Sequence, residues 1–141
     1  MIEIDRWQGL PVENLKTDNF WGCTIRCLQM LIANALNVSK KLEIPSRLVH
    51  YNGVRIESDV QRREIDILNL FNNDKRASMA PYSIQNTSEI GLKAFGVYPG
   101  QWYGINTASL IFETLEQQYR PIQNFRMCTF QDGTISLPRI W

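Results

Sequence analysis

Two segments of the chain carry apolar residues at the spacing of an α-helix, and they differ in where their polar residues fall. From Cys23 to Leu36 apolar side chains lie nearly all round the predicted helix, which indicates a helix buried on most sides, with Asn37 as its stop. From Asp59 to Phe71 the pattern is one-sided, as in an amphipathic surface helix. The residues that recur at helical spacing and are expected on its core face are Val60, Glu64, Ile67, Leu68 and Phe71. Gln61, Arg62, Arg63 and Asp66 are available for a solvated face.

Two further helices are expected in the second half of the chain. Ser83 is a good N-cap for a helix that Gly96 would end. Thr107 can cap another helix over Ala108 to Gln118, which the pair Arg120-Pro121 would terminate. The residues expected to point toward the core are Ile84, Thr87, Ile90, Ala94, Leu110, Ile111 and Leu115.

The last part of the chain has the pattern of two β-strands. Residues 122–130 and 134–140 are strand-like, and Asp132-Gly133 between them is a strong hairpin signal. Helices first and strands last predict an α+β fold, in one domain over residues 1–141. A final strand at the end of the chain would leave a sheet edge unpaired, so we expect this domain to be truncated.

Composition and charge exclude several classes of protein. With 44% hydrophobic and 21% charged residues, the 141-residue chain is typical of a globular protein. Fifteen basic residues against fourteen acidic ones leave a net charge of +1, so neither nucleic acid nor an anionic membrane is indicated as a partner. The sequence has no apolar run of about 18 residues and no signal-peptide pattern. We therefore expect a cytoplasmic protein without stable membrane insertion.

Cys23 is the candidate nucleophile because it stands at the predicted start of the first helix. Backbone N–H groups at a helix N-terminus lack intrahelical partners and stabilise an anion, so a thiol there ionises more readily. Gly22 would let a substrate backbone approach the sulfur, and Trp21 would form one wall of a cleft. A lone cysteine in this position is also common as a small core residue without chemistry, so residue types alone leave both interpretations open.

The remaining cysteines do not indicate a metal or a cofactor, and we expect neither. Cys27 lies one helical turn after Cys23, but Cys128 is distant in sequence and the chain has a single histidine, His50. Three cysteines, an odd number, fit a reducing compartment better than a disulfide framework. Side chains one helical turn apart are also poorly placed for a disulfide between Cys23 and Cys27.

A loop from Tyr98 to Gly104 contains three aromatic residues, two glycines and a proline in seven positions. Loops of this kind often line functional sites. The alternative is that Trp102 and Tyr103 simply pack the loop onto the core.

Two sequence blocks, in this order, resemble the autophagy cysteine protease family. The first block contains the nucleophile signature and the helix after it: Trp21-Gly22-Cys23, Arg26, Cys27 and Gln29-Met30. The second contains Pro81-Tyr82-Ser83-Ile84 and, after it, Trp102-Tyr103-Gly104. The spacing between the blocks also fits the family, and the blocks together cover about half of the chain.

The resemblance implies a papain-like cysteine protease fold, of which this chain is the N-terminal portion with the central nucleophile helix. Enzymes of the family cleave after the C-terminal glycine of a ubiquitin-like autophagy modifier and later release the modifier from phosphatidylethanolamine. Cys23 would be the catalytic nucleophile. The substrate cleft would be formed by Trp21, Gly22, Trp102, Tyr103 and Gly104, with Trp102 as an aromatic lid.

Three features depart from the family's pattern. Phe20 and Ile105 stand where the family usually has glycine and proline. The Asp-Pro-His motif that supplies the family's base does not occur in the chain, and His50 lies outside any family motif. We therefore expect this chain to be weak or inactive alone. The alternative function is a non-catalytic relative that binds the ubiquitin-like modifier or a complementary C-terminal half.

Overall fold

The computed structural model describes residues 17–39, 58–72 and 79–135, and these ranges contain four α-helices. Their bounds are Cys23–Val38 (α1), Asp59–Asn69 (α2), Ile84–Phe95 (α3) and Ile105–Tyr119 (α4). Helix α3 packs along α4, and α1 contacts both α2 and α4. This helical arrangement is compatible with part of a papain-like domain. Within the described ranges, no helix is both long enough and apolar enough to cross a membrane.

Aromatic side chains join the helices at the centre of the core. Tyr82, just before α3, is fully buried, and its ring centroid lies 5.6 Å from that of Phe71 and 6.1 Å from that of Phe112. Phe71 follows α2 and Phe112 belongs to α4, so one tyrosine connects three segments of the chain. Burial of such large rings contributes favourably to folding.

Helix α1 has one buried face, so the prediction that it is buried on most sides is wrong for the described structure. Ile25 and Leu36 are fully buried, whereas Met30 is 64% and Leu31 is 62% exposed. The described helices α2 and α4 contact this helix, and its buried residues lie on one face. An apolar pattern all round a helix does not say which faces its neighbours cover.

Helix α2 matches its predicted core face only in part. Ile67 is 3% exposed as expected, but Val60 and Leu68 are 67% and 65% exposed, and Asp66, assigned to the solvated face, is 6% exposed. Leu68 lies on an open groove of about 320 Å³ between α1 and α2. The buried face of α2 therefore includes Asp66 and Ile67 and leaves Val60 and Leu68 exposed.

The ends of α3 are as predicted and the start of α4 is not. Ser83 is confirmed as the N-cap of α3, since its Oγ accepts a hydrogen bond from the Asn86 N–H, and Gly96 ends the helix with a φ of 67°. Helix α4 begins at Ile105 with Gly104 as its N-cap, so the prediction of Thr107 as the cap is wrong. The Ala108 N–H donates to the Gly104 carbonyl oxygen, which adds an earlier turn. Ala94, expected toward the core, is exposed.

The predicted β-hairpin is not confirmed. Residues 122–130 form no strand, and most of the second predicted strand, 134–140, lies outside the described residues. The segment is held instead by carboxylates of α4: Arg126 Nη1 donates to Glu116 Oε1 at 3.1 Å, and the Thr129 N–H donates to Glu113 Oε2 at 2.8 Å. A backbone donor taken by a helix side chain is no longer free to pair with a strand.

Replacing Arg126 with alanine should lower thermal stability, because Glu116 is only 1% exposed and would lose its cationic partner. The expected loss is roughly 1.5–3 kcal/mol, the usual contribution of a hydrogen bond to a charged group. Thermal unfolding followed by circular dichroism measures the change. Lys93→Ala is the matched control, since it removes an exposed pair with Glu89 on one helix and should cost less than about 0.5 kcal/mol. Equal losses in the two variants would contradict a special contribution of the pair between Arg126 and buried Glu116.

Folding stability should also fall as the pH rises above about 10, the ordinary value for tyrosine. Burial, reinforced by the nearby Glu116 carboxylate, raises the pKa of Tyr82, and burial raises the pKa of Tyr103. The unfolded chain then releases phenolic protons that the folded chain keeps, so alkaline pH favours unfolding. Urea unfolding midpoints across the alkaline range test this.

The double variant Tyr82→Phe/Tyr103→Phe should lose less stability with rising pH than the unaltered protein does. Exposed Tyr98→Phe is the control and should leave the pH dependence unchanged. If both variants follow the unaltered protein, the buried phenols do not cause the alkaline loss.

Candidate active site

Cys23 is the first residue of α1, and its side chain is exposed. The N-cap residue, Gly22, provides no side-chain hydrogen bond to the first N–H groups of the helix. Those groups and the macrodipole therefore favour negative charge beside the sulfur. Cys23 lies on an open cleft of about 410 Å³, whose described lining consists of Asp18, Asn19, Phe20, Cys23 and Arg26.

The turn that leads into Cys23 is fixed by hydrogen bonds to two carbonyl oxygens. The Gly22 N–H donates to the Asp18 carbonyl oxygen at 2.9 Å, and the indole Nε1 of Trp21 donates to the Thr17 carbonyl oxygen at 2.9 Å. A Cβ at Gly22 would lie 2.8 Å from the Asp18 Cβ. Glycine is required here because Asp18 packs against the main chain, which differs from the predicted role of leaving room for substrate.

Trp21 and Tyr103 bring the two sequence blocks together. Trp21 is 5% exposed and Tyr103 is fully buried, and their ring centroids are 6.1 Å apart. Tyr103 also touches α3, where a Cβ at Gly91 would lie 2.8 Å from its Cε1. The turn before Cys23 is thus packed against the aromatic loop, and these two rings contribute little open surface to the cleft.

Trp102 has the opposite environment from its neighbour Tyr103, since it is 67% exposed. It is absent from the described lining of the cleft beside Cys23. Gly104 caps α4, and a Cβ there would have no neighbour within 4 Å among the described atoms. Of the six predicted site residues, Trp21 and Tyr103 therefore pack together, Gly22 and Cys23 follow Trp21 directly in the chain, and Trp102 and Gly104 are exposed.

A polar network beside Cys23 was not predicted as part of the site. Asp18 and Arg26 line the cleft and form an ion pair of 2.7 Å, and Arg26 also contacts Gln29, which is 6% exposed. Arg26 and Gln29 belonged to the first sequence block, but no role was assigned to them. The signal that could have identified them is their charge and polarity inside an otherwise apolar helix pattern.

Other candidate chemistry is sparse in the described ranges. His50 lies outside the described residues, so no histidine lies among them. Cys27 and Cys128 are exposed like Cys23. Within residues 17–39, 58–72 and 79–135, no group of three or more His, Cys, Asp or Glu side chains could hold a metal ion.

Comparison with known families adds to this geometry. The family model of the peptidase C54 catalytic domain matches residues 5–140. The chain belongs to this family. The match confirms the resemblance to autophagy cysteine proteases that the two sequence blocks indicated.

Fungal cysteine proteases are among the curated proteins to which this chain is similar. This chain is 36% identical over 99 residues to "Probable cysteine protease ATG4" of Podospora anserina, and the match covers 70% of this chain and 17% of the relative. It is 33% identical over 102 residues to "Cysteine protease 1" of Neurospora crassa, covering 72% of this chain and 18% of the relative. The chain thus spans less than a fifth of the length of these two relatives.

Two departures from the C54 pattern coincide with special backbone positions. Phe20, where glycine is usual, has a φ of 70° and is 90% exposed. That left-handed conformation is the one glycine adopts without cost. Ile105, where proline is usual, is the first residue of α4. Proline is favoured at this position because the first N–H of a helix has no intrahelical acceptor.

Replacing Phe20 with glycine should raise the free energy of unfolding by roughly 0.5–1 kcal/mol, because it removes a strained left-handed backbone conformation. Little packing is lost, since the ring is 90% exposed. The unfolding midpoint in urea measures the gain. Asn19→Gly, in the same turn but without positive φ, is the control and should be neutral or destabilising. A Phe20→Gly variant less stable than the unaltered protein would contradict this explanation.

Proposed function

We propose that this chain carries the nucleophile of an autophagy-pathway thiol protease that cleaves after the C-terminal glycine of a ubiquitin-like modifier. We infer that the same site releases the modifier from phosphatidylethanolamine, and that the protein works in the cytoplasm. The observation that carries the proposal is the exposed Cys23 at the first position of α1, on an open cleft, in a chain of the C54 family.

The chemistry is acyl transfer. The thiolate of Cys23 attacks the carbonyl carbon of the modifier's terminal glycine, and the resulting oxyanion is stabilised by N–H groups at the start of α1. The C–N bond breaks, the leaving amine takes a proton, and a thioester remains on Cys23. Water then attacks the thioester, which frees the glycine carboxylate and restores the thiol.

Trp102 is proposed to cover the cleft. An indole that is 67% exposed leaves much apolar surface in water, and a bound substrate would cover it. A flat ring over a narrow passage admits a glycine main chain and rejects residues with larger side chains. In this proposal Tyr103 anchors the lid, because it is fully buried next to Trp102.

The proton acceptor for Cys23 is proposed to be the histidine of the family's Asp-Pro-His motif, with the aspartate orienting it. That motif does not occur among the 141 residues. The alternative function is a non-catalytic relative that binds the modifier or a complementary C-terminal half. The observation favouring it is that the one histidine among these 141 residues, His50, does not stand in an Asp-Pro-His motif.

The test uses the endogenous protein that carries this sequence, beginning with its intact mass. A mass well above 16.4 kDa would direct the search for the base to the additional residues.

Cleavage of a modifier bearing a C-terminal extension, and of the phosphatidylethanolamine conjugate on vesicles, is then followed by electrophoresis. Cys23→Ala should abolish both reactions. Cys27→Ala and Cys128→Ala are matched controls, since both residues are also exposed, and they should leave cleavage intact.

Cleavage that survives Cys23→Ala would remove Cys23 from the mechanism. If the unaltered protein binds the modifier but cleaves neither substrate, the binding function is correct instead. Iodoacetamide labelling quantified by peptide mass spectrometry separates the two functions further, because an activated Cys23 should react faster at mildly acidic pH than Cys27, which is also exposed.

A further inference from the structure

A chain of hydrogen bonds leads from the turn before Cys23 to the start of α3. The Asp18 carboxylate accepts from Arg26 Nε at 2.7 Å, and Arg26 Nη1 donates to Gln29 Oε1 at 3.0 Å. Gln29 Nε2 in turn donates to the Tyr82 carbonyl oxygen at 2.8 Å. Two residues of α1 therefore connect a carboxylate at the cleft with buried backbone in the core.

Asp18 is in contact with the residue that precedes Cys23. Its carbonyl oxygen accepts the Gly22 N–H at 2.9 Å, and its side chain packs so closely on Gly22 that a Cβ there would lie 2.8 Å from the Asp18 Cβ. A shift of the Asp18 side chain would thus move the main chain that enters Cys23.

The network is shielded from water more than a surface ion pair is. The side chains of Arg26 and Asp18 are 28% and 17% exposed, and Gln29 is 6% exposed. Burial holds the planar guanidinium in one orientation, in which different nitrogens reach Asp18 and Gln29. A lysine has a single nitrogen on a flexible stem and cannot reproduce this bridge.

We propose that Asp18 and Arg26 are positioning residues that hold the Asp18–Gly22 turn, and with it the Cys23 Sγ, in the orientation for attack. This inference rests on the proposed function of Cys23 as a nucleophile. Neither residue touches the reacting atoms in this account. Their effect is on the geometry of attack, so it should appear in kcat more than in KM.

The decisive variant is Arg26→Lys, which keeps the positive charge but breaks the bridge. We expect kcat for cleavage of the modifier precursor to fall about tenfold or more, with KM within about twofold. The rate of Cys23 alkylation by iodoacetamide should fall relative to Cys27 in the same molecule. Arg63→Lys is the matched control, because Arg63 donates to the carbonyl oxygens of Leu36 and Ser39 at the other end of α1. It should leave both readouts unchanged.

Asp18→Asn and Asp18→Ala keep the test decisive if Arg26→Lys does not fold. Asparagine retains an oxygen that can accept from Arg26, so Asp18→Asn should keep more of kcat than Asp18→Ala does. A folded Arg26→Lys variant with unchanged kcat and alkylation ratio, or equal kcat for the two Asp18 variants, would overturn the positioning role while Cys23 remains the nucleophile. If unaltered Cys23 reacts no faster than Cys27 and no cleavage occurs, both the proposed function and this inference fail.

Discussion

The geometry around Cys23 depends on the packing of Trp21 against Tyr103. The ring centroids are 6.1 Å apart, and both side chains are withdrawn from solvent. Trp21 belongs to the turn before α1, Tyr103 to the loop before α4, and Tyr103 also presses on Gly91 of α3. Three distant segments meet at two rings, so the location of Cys23 is determined by the core as well as by its own helix. A rigid support of this kind is what a reactive group on a helix tip requires.

Local signals in the sequence predicted both ends of α3 and the start of α1, although they misplaced the start of α4. The cap at Ser83 and the stop at Gly96 act through the hydroxyl of one residue and the backbone freedom of another, so a few neighbouring residues decide both. The start of α1 at Cys23 follows from its local pattern in the same way. Features that depend on distant packing were not predictable, including the burial of Asp66 and the exposure of Met30. An apolar pattern records which residues tolerate burial, whereas the neighbouring helices decide which are buried.

In the C-terminal segment and the candidate site, too, features set by neighbouring residues were predictable and features set by distant packing were not. The turn signal at Asp132-Gly133 was real, since Gly133 has a φ of 73° and Asp132 Oδ1 accepts from the Thr134 N–H at 3.0 Å. The strand expected before it was not formed, because carboxylates of α4 hold that segment. At the site, the helix position made Cys23 a candidate nucleophile but left open a buried core residue, and the structure exposes it. The pairing of Asp18 with Arg26 was not, because charges eight residues apart meet only after the turn and helix have formed.

The alternation of Trp102 and Tyr103 has a consequence for how the aromatic loop can change in evolution. One residue is exposed and the next is fully buried, so their environments are set by their position in the loop, counted from Gly96 at the end of α3. Inserting or deleting a single residue in between would bring the wrong ring into the space beside Gly91 and expose the other. Substitutions at exposed positions such as Gln101 leave this count unchanged. The loop is therefore closed to variation in length, and its composition is constrained at the buried Tyr103 and at Gly100, which has a φ of 94°.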